Sequence, residues 1–518
     1  MKNPTGLPFL GVLLFALTVF VGGCGSPPPP PAPTYSVGGT LGGLASGQQL
    51  VLQNNQTDDL TLSADGPFTF AAKLVDGAAY SVTVKTQPQG QTCTVTNGSG
   101  TLSGADVSNV QVSCSADPGT LDTSFGSDGV VVYDGGGYDR ANAIALDADG
   151  KILVAGYRIS GSSYNMALWR YQADGTPDNS FGSDPNTNFV TYNGGYGASA
   201  NAIALDASGK ILVAGYVSNG SDKDMALWLY RPNGSPDPNF AINGLRVYDS
   251  SDDDEARAVT VDSSGRILVA GTVGSLAAQD MALWRFFSDG SPDTGFGTNG
   301  LVTYDSGHSD FVEAVALDTD GNVLLAGTVR GVSNYDMALL RYDSSGAPDN
   351  SFGGNNGTHV VTYDSGQDDS ACAVVLDAGG NILLAGTTNN GPYAGLALLR
   401  YHADGTPDNT FGVNSGTHVV TYDSAYYDAP SAVTYDASGK ILVAGTVGNG
   451  SNADTALWRY GPNGVPDAIF GDSGLASYDG GQGEKAYAMT LDASGKILLA
   501  GYADNSSDSD MALWRYNP

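Results

Sequence analysis

A short apolar run framed by two glycines recurs seven times along the chain. The first copy reads Gly-Lys-Ile-Leu-Val-Ala-Gly and spans residues 150–156. A turn glycine followed by an uninterrupted apolar stretch with β-branched residues is typical of a strand covered on both faces. Because the copies return at a near-constant interval, they predict a solenoid, an array or a propeller. The other copies begin at Gly209, Gly265, Gly321, Gly380, Gly439 and Gly495.

Two further markers divide each repeat in a fixed order. A Phe-Gly pair, first seen at Phe125, is followed by a Tyr-Asp pair, first seen at Tyr133. The distance from each such tyrosine to the next such phenylalanine never changes, so all variation in length falls in one connection. A packed ring imposes constant spacing of this kind, whereas a disordered array does not.

Each repeat contains four apolar segments, and in the first repeat they are Val130–Tyr133, Ala143–Leu146, Ile152–Ala155 and Met166–Tyr171. Four short antiparallel strands per repeat fit the blade of a β-propeller. Small residues in the Ala143–Leu146 segment suit the crowded inner edge of a ring. The bulky side chains of the last segment suit the wider space between blades, and five repeats carry a tryptophan there: Trp169, Trp228, Trp284, Trp458 and Trp514.

The two ends of the repeat region predict how the ring closes. The region opens on one isolated strand, Val130–Tyr133, and stops after the segment that ends at Tyr516. Seven complete blades result only if that first strand completes the sheet of the last repeat, which also removes an open sheet edge. We therefore predict an all-β protein in which residues 117–518 form a seven-bladed β-propeller, with four antiparallel strands per blade and the N-terminal strand closing the last blade.

A smaller β domain is predicted before the ring, at residues 35–116. Alternating apolar and polar residues mark segments such as Gln49–Gln53 and Tyr80–Val84, with turn residues between them. Five or six strands of this kind indicate an immunoglobulin-like or prealbumin-like sandwich. Cys93 and Cys114 flank a hairpin-like segment and are predicted to form a disulfide in an oxidising compartment.

The N-terminal residues carry the pattern of an export signal. Residues 1–23 contain one early positive charge and a short apolar run from Leu7 to Val21, too short for a comfortable membrane span. The sequence Val-Gly-Gly-Cys that ends at Cys24 resembles the lipobox of bacterial lipoproteins. The resemblance implies cleavage before Cys24, acylation of that cysteine and, because no aspartate follows it, sorting to the outer membrane. Residues 24–34 then form a proline-rich linker, which is stiff and extended.

Three repeated segments together resemble the bacterial delta-60 repeat: the glycine-framed run, the Met166–Tyr171 segment and the linking residues 174–182. The likeness covers residues 119–518. It implies a propeller and brings no catalytic motif to this chain.

The charge of the chain limits its partners. Asp and Glu number 54 against 22 Lys and Arg, which gives a formal net charge of −32. Such a surface repels a phosphate backbone, so the sequence argues against nucleic acid as a partner.

Acidic residues recur where calcium could bind. One follows each Tyr-Asp pair and a second precedes the third strand of most blades, and carboxylate oxygens are ligands that calcium prefers. The densest cluster, Asp252, Asp253 and Asp254, is the best calcium candidate. The alternative is structural, with each acid accepting hydrogen bonds from its own loop or the next blade. The first series is Asp139, Asp254, Asp310, Asp369, Asp428 and Glu484, and the second is Asp224, Asp280, Asp336, Asp454 and Asp510.

Enzymatic motifs are missing from the sequence. It has no nucleophile elbow, phosphate loop or paired metal ligands, and we assign no catalytic residue. His359 and His418 occupy matching repeat positions, the repeated arginines are expected to pair with repeated aspartates, and Cys372 is expected in the core. The blades differ little, whereas an active site would make a few of them depart. We therefore expect a monomeric, membrane-anchored, non-catalytic propeller that binds a protein or a glycan. The alternative is a polysaccharide hydrolase or lyase acting at the mouth of the ring.

Overall fold

The computed structural model describes residues 30–161, 163–275, 278–331, 333–354, 358–389, 393–412 and 417–518. The predicted leader, residues 1–23, and Cys24 lie outside the described residues. Within the described part the chain forms two compact units, one ending at Ser115 and one beginning at Ala116. Apart from a 3-10 turn at Phe352–Gly354, its regular structure is all β. No helix among these residues has the length and apolar content needed to cross a membrane.

The first unit is the predicted sandwich. Two four-stranded sheets, of order β5-β2-β10-β8 and β4-β3-β7-β9, share a core that includes Leu52, Phe68 and Val112. Cys93 and Cys114 form a disulfide between β8 and β10. The strands are β1 (Thr34–Tyr35), β2 (Val37–Gly42), β3 (Leu50–Asn54), β4 (Asp58–Leu62), β5 (Gly66–Thr69), β6 (Leu74–Val75), β7 (Ala79–Thr86), β8 (Gln91–Thr96), β9 (Ser99–Thr101) and β10 (Val107–Ala116).

The second unit contains seven four-stranded antiparallel sheets, the blades of the ring. Blade 1 is β12 (Asp139–Leu146), β13 (Ile152–Ser160), β14 (Ser163–Tyr171) and β15 (Phe189–Tyr192). Blade 2 is β16 (Ala198–Leu205), β17 (Ile211–Ser218), β18 (Lys223–Tyr230) and β19 (Leu245–Tyr248). Blade 3 is β20 (Glu255–Val261), β21 (Ile267–Val273), β22 (Asp280–Phe286) and β23 (Leu301–Tyr304). Blade 4 is β24 (Phe311–Leu317), β25 (Val323–Arg330), β26 (Tyr335–Tyr342) and β27 (Val360–Tyr363).

The remaining blades follow the same order. Blade 5 is β28 (Asp369–Leu376), β29 (Ile382–Thr388), β30 (Gly395–Tyr401) and β31 (Val419–Tyr422). Blade 6 is β32 (Ala429–Tyr435), β33 (Ile441–Gly448), β34 (Ala453–Tyr460) and β35 (Leu475–Tyr478). Blade 7 is β36 (Glu484–Leu491), β37 (Ile497–Asp504), β38 (Ser509–Tyr516) and, from the start of the ring, β11 (Val130–Tyr133). The first strand of each blade is its inner strand.

The closure of the ring is as predicted. Strand β11 pairs antiparallel with β38, in a register that sets Val130 opposite Trp514 and Tyr133 opposite Met511. The last blade therefore has the strand order β11-β38-β37-β36, and it owes its outer strand to the first segment of the unit. Inner strand β12 packs against both β16 and β36, so the contacts between blades continue around the whole ring.

The two glycines of the repeated motif have different structural roles, as blade 1 shows. Gly150 has a φ of 77° and completes the tight turn in which its amide donates to the carbonyl of Asp147. Gly156 lies where β12 and β13 approach most closely, since a Cβ built on it would stand 1.9 Å from the carbonyl oxygen of Arg140. A side chain at Gly156 would therefore separate the inner strand from its neighbour.

Tryptophans of the third strands fill the space between blades. Trp169 of blade 1 is fully buried in a cluster with Leu498 and Leu513 of blade 7. Its ring also meets the ring of Tyr133, at 5.6 Å between centroids. Each large side chain therefore joins two blades and stabilises both.

The arginines that end six of the third strands form the expected pairs with repeated aspartates. Arg170 donates from Nε to Asp178 Oδ2 at 2.8 Å and from Nη1 to the carbonyl of Pro232 in the next blade at 2.5 Å. Its guanidinium also lies 4.6 Å from the ring centroid of Phe181, the phenylalanine of the Phe-Gly marker. These contacts within and between blades therefore explain why the arginine recurs in the repeats. The pairs are Arg170–Asp178, Arg285–Asp293, Arg341–Asp349, Arg400–Asp408, Arg459–Asp467 and Arg515–Asp122.

Candidate functional site

The two ends of the ring differ in character. The end at which the inner strands begin is here called the mouth face. The opposite end carries the repeated Asp-x-x-Gly turns and the Pro-Asp turns. At that end Asp147 Oδ1 accepts the amides of Asp149 and Lys151, which is a structural role.

A cavity of about 460 Å³ opens at the mouth face, where the inner strands surround the central channel. Each blade contributes one side chain from the same position of its inner strand, and these side chains differ sharply in size and charge. They are, from blade 1 to blade 7, Asn142, Asn201, Arg257, Glu313, Cys372, Ser431 and Tyr487. This position therefore breaks the sevenfold likeness of the blades.

Tyrosines form an arc on three consecutive blades around this cavity. Tyr157, Tyr216 and Tyr502 follow the closing glycine of the repeated motif in blades 1, 2 and 7, where blades 3 to 6 have threonine. Cations lie over two of the aromatic rings of this side. Arg140 stands 3.7 Å from the ring centroid of Tyr487, and Lys223 stands 4.3 Å from that of Tyr216.

Glu255 is held firmly in the cavity wall. It accepts a hydrogen bond from Asn201 Nδ2 at 2.9 Å and pairs with Lys223 at 3.1 Å and Arg257 at 3.5 Å. Glu313 has no such set of partners among the residues that the structure describes. Burial raises the pKa of Glu313, the positive charge of Arg257 lowers it, and the negative charge of Glu255 raises it further.

A second cavity of about 420 Å³ extends the first across blades 4 and 5. Glu313 lines both cavities, and the second is bordered by the aromatic rings of Phe311, Tyr335 and Tyr427. The two cavities together, from Tyr157 to Tyr427, are here called the mouth groove. Both cavities of the groove contain aromatic side chains among polar groups, as ligand sites do.

Exposed tyrosines gather on the same face. Among the described residues, every tyrosine that is largely exposed lies on a connection or a strand end at the mouth face. They are Tyr138, Tyr164, Tyr196, Tyr393, Tyr426 and Tyr427. Large amphipathic rings concentrated on one face mark a surface that receives a partner.

The repeated acids that follow the Tyr-Asp pairs lie where the inner strands begin. Asp139, Asp369 and Glu484 are the first residues of their strands, and Asp254, Asp310 and Asp428 directly precede theirs. Strand β12 begins at Asp139, four residues before the predicted start at Ala143. These acids are buried, and most of them accept hydrogen bonds from their own loop. Asp254, for example, accepts the amide of Ser250 at 2.6 Å and its hydroxyl at 2.8 Å, which are the bonds of the structural alternative.

The structure does not bring the predicted calcium cluster together. Asp254 is buried and bonded to Ser250, Asp253 accepts the amide of Lys223 at 3.0 Å, and Asp252 points to solvent. All three residues lie in the connection before β20, and hydrogen bonds to different partners direct Asp253 and Asp254 apart. Among the described residues, carboxylate oxygens of three acids approach within 4.8 Å in two other groups, Asp280 with Asp305 and Asp310, and Asp454 with Asp479 and Glu484.

Glu484 differs electrostatically from the acids that a serine satisfies. Burial, reinforced by the charges of Asp454 and Asp479, raises the pKa of Glu484 to about 7. The Tyr-Asp-Ser sequence that places a hydroxyl beside Asp254 is here Tyr-Asp-Gly, so Gly480 offers only its amide.

Other predicted residues have structural places. His359 bonds to the hydroxyl of Tyr342 at 3.2 Å, and His418 packs on Tyr401, so neither lies in the mouth groove. Cys372, which is predicted to lie in the core, packs against the core cluster of blades 5 and 6 and also lines the channel cavity. Burial raises the pKa of its thiol to about 12.

Reasoning from the sequence missed the channel residues. The expectation that the blades differ too little to build a site is wrong at the inner strand, where Arg257, Glu313 and Tyr487 replace the Asn or Ser of other blades. Asn142, Asn201 and Ser431 bond to a main-chain carbonyl of the next blade. The signal that could have revealed the site is the variation at this position and at the one two residues before it, which also carries six residue types in seven blades.

Comparison with protein families supports the repeat architecture. Seven segments match the family model described as "Domain of unknown function (DUF5122) beta-propeller", one in each repeat. They are residues 148–181, 207–240, 263–296, 319–352, 380–411, 437–470 and 493–518. The chain is therefore a repeat protein of the β-propeller class. No curated protein matches it.

Solved structures with a similar fold differ widely in sequence. Sqt1 of Chaetomium thermophilum is 11% identical, with 75% of this chain and 97% of that chain covered and a TM-score of 0.41. The polysaccharide lyase Uly1 is 11% identical, with 73% and 90% covered and a TM-score of 0.44. Drosophila Semaphorin 2a is 8% identical, with 77% and 76% covered and a TM-score of 0.44. Likeness at this level says nothing about the ligand of this chain.

Proposed function

We propose that this protein is a non-catalytic binding protein whose ring holds an extended glycan chain in the mouth groove. One observation carries the proposal: two positions of the inner strand each carry six residue types in seven blades, and most of these residues line this groove. A position that served only to hold the ring together would repeat, as the arginine–aspartate pairs do. Variation in a cavity wall is expected where one asymmetric ligand is recognised.

The chemistry of the groove favours a sugar chain. Tyrosine rings such as those of Tyr157, Tyr216 and Tyr427 offer flat apolar faces with a hydroxyl at the edge. Amide and carboxyl groups between them, such as Asn142 and Glu313, can exchange hydrogen bonds with sugar hydroxyls. The fixed partners of Glu255 argue against its use as an acid or base, which supports a binding role.

We further propose that the binding ring is displayed from a bacterial membrane. Acylation at Cys24, implied by the lipobox resemblance, would anchor the mature protein at the outer membrane, facing the periplasm or the cell surface. The proline-rich linker of residues 24–34 would act as a stiff spacer between the lipid anchor and the first folded unit. A ring that is closed within a single chain is consistent with a monomer.

The proposal is tested by screening the purified protein on a glycan array. We expect binding that is lost in the double variant Tyr157→Ala/Tyr216→Ala and kept in Ile242→Ala, which removes an exposed side chain outside the groove. In parallel, a pull-down with the purified protein tests whether it binds proteins of the bacterial envelope. If the groove captures a protein and no glycan binds, the ligand of the groove is a protein and not a glycan. Binding that survives in the double variant would contradict the assigned site.

A second candidate, a polysaccharide hydrolase or lyase, is favoured by one residue. The raised pKa of Glu313 is the property that a general acid requires. Incubation of bound polysaccharides with the protein and analysis of chain length would reveal turnover. Turnover that is lost in Glu313→Gln would establish the enzyme and overturn the non-catalytic proposal.

A further inference from the structure

Three acids meet at the junction between blades 6 and 7. Asp454 lies on β34 of blade 6, Asp479 directly follows β35, and Glu484 opens the inner strand β36 of blade 7. One carboxylate oxygen of each lies within 4.8 Å of the others. Three elements from two blades thus direct negative charge to one point, here called the acid trio.

Two oxygens of the acid trio are buried and have no partner among the described residues. They are Asp454 Oδ1 and Glu484 Oε2, on side chains of residues that are 6% and 1% exposed. The other oxygen of Asp454 accepts a hydrogen bond from Asn449 at 2.9 Å. Burying a carboxylate oxygen without a donor or a cation is costly, so these two atoms call for a positively charged partner.

Two other junctions of the ring supply a compensating group from the protein, in one case a hydroxyl donor and in the other a cation. At the junction of blades 3 and 4, the hydroxyl of Ser306 donates to Asp310 at 2.8 Å. At the junction of blades 7 and 1, where glycine replaces that serine, Arg158 lies opposite Asp139 with its Nε 3.8 Å from Oδ1.

The junction of blades 6 and 7 has neither the serine hydroxyl nor the arginine. Gly480 takes the place of the serine, and Ala503 lies opposite Glu484, where Arg158 lies opposite Asp139. Within the described ranges, no lysine or arginine forms an ion pair with any member of the acid trio. Two acids of different blades therefore face each other without a compensating charge from the chain.

The junctions of the ring differ in how many of these acids they keep. At the junction of blades 1 and 2 the corresponding residues are Asn165, Asn193 and Ala198, and all three are uncharged. At the junction of blades 5 and 6, Gly395 stands where Asp454 stands here, although the other two acids remain. The complete acid trio is therefore not a requirement of the fold at every junction.

We infer that the acid trio of Asp454, Asp479 and Glu484 binds a calcium ion that ties blade 6 to blade 7. Calcium accepts oxygen ligands at about 2.3–2.6 Å, so ligands on opposite sides of the ion stand up to about 5 Å apart. Magnesium usually keeps several waters and takes one or two carboxylates, so a site with three carboxylates favours calcium. A polar cleft of about 430 Å³, lined by Asp479 and Asn452, gives the ion access and room for water ligands.

Calcium binding by the purified full chain, first stripped with a chelator, is measured by isothermal titration with calcium chloride. The key variant is Asp479→Asn, because Asp479 is exposed and its loss spares the core. The matched control is Asp423→Asn, the same position one blade earlier, where Gly395 removes one acid and Ser424 satisfies Asp428. Glu484→Gln serves as a second variant if it folds.

We expect saturable calcium binding that Asp423→Asn leaves unchanged. Asp479→Asn should weaken one class of sites by at least about tenfold, as loss of a metal ligand or its support does. A calcium-induced rise in melting temperature, lost in Asp479→Asn, would agree. No binding at millimolar calcium, equal binding by Asp479→Asn and wild type, or tighter binding of magnesium would each overturn the inference.

Discussion

Arg515 and Asp122 test how the ring is closed. They lie 393 residues apart in sequence, yet they form the pair that Arg285 and Asp293 form over a separation of eight. In the variant Arg515→Met, an apolar stem remains over Phe125, but the pair with Asp122 and the bond to the carbonyl of Ala173 are lost. Removing one partner of a buried pair costs about 3–5 kcal/mol.

The lower end of that range applies, because Lys496 remains 3.0 Å from Asp122 and partly compensates its charge. The ring spans about 400 residues from Ala116, so its unfolding entropy is about 0.8 kcal/mol per kelvin. A loss of about 3 kcal/mol therefore lowers the melting temperature of the ring by about 4 °C. Differential scanning calorimetry of the purified protein measures this shift.

Arg285→Met is the matched control within an unbroken stretch of chain. There too a second cation remains near the aspartate, since Arg266 lies 3.5 Å from Asp293. If the closing junction is equivalent to the others, both variants shift the ring transition by a similar amount and leave the sandwich transition unchanged. A ring transition that stays at its wild-type temperature in Arg515→Met, while Arg285→Met lowers it, would refute the closure argument.

Deletion of Val130–Tyr133 should lower the melting temperature of the whole ring, because β38 then becomes an open edge; an unchanged transition would contradict this. Replacing both Cys93 and Cys114 by serine should cost the sandwich about 3 kcal/mol, as expected for a closed loop of about 20 residues, without affecting the ring; calorimetry checks both parts. Because burial raises the pKa of Cys372 to about 12, iodoacetamide at pH 8 should label it slowly in the folded protein and quickly in denaturant. Rapid labelling of the folded protein would show that the thiol is not protected.

Much of the fold could be predicted because the same sequence pattern occurs in seven repeats. A closed ring explains three features of the sequence. They are the glycine-framed run, the constant distance between markers such as Tyr133 and Phe181, and the isolated strand at Val130–Tyr133. The arginine–aspartate pairs were predictable for the same reason: residues that recur together at a fixed separation occupy one contact, repeated in six blades.

The candidate site could not be predicted in the same way. The inner strand was expected to begin at Ala143, which left Arg140 and Asn142 in a loop and hid their position on the channel wall. The apolar pattern does not mark that position, because residues facing a polar channel have no need to be apolar. The sequence named Asp454 and Glu484 in its two acidic series but did not single out their junction. That choice depends on how three separate segments converge and on the absence of a serine hydroxyl at Gly480.

The central claim is that a ligand docks on the mouth face. Hydroxyl-radical footprinting of the protein, with and without a glycan found on the array, tests it directly. We expect protection of Tyr164, Tyr196 and Tyr427 in the complex, with Ile242 labelled as before. Protection of Ile242 with unchanged labelling of the mouth-face tyrosines would contradict the account.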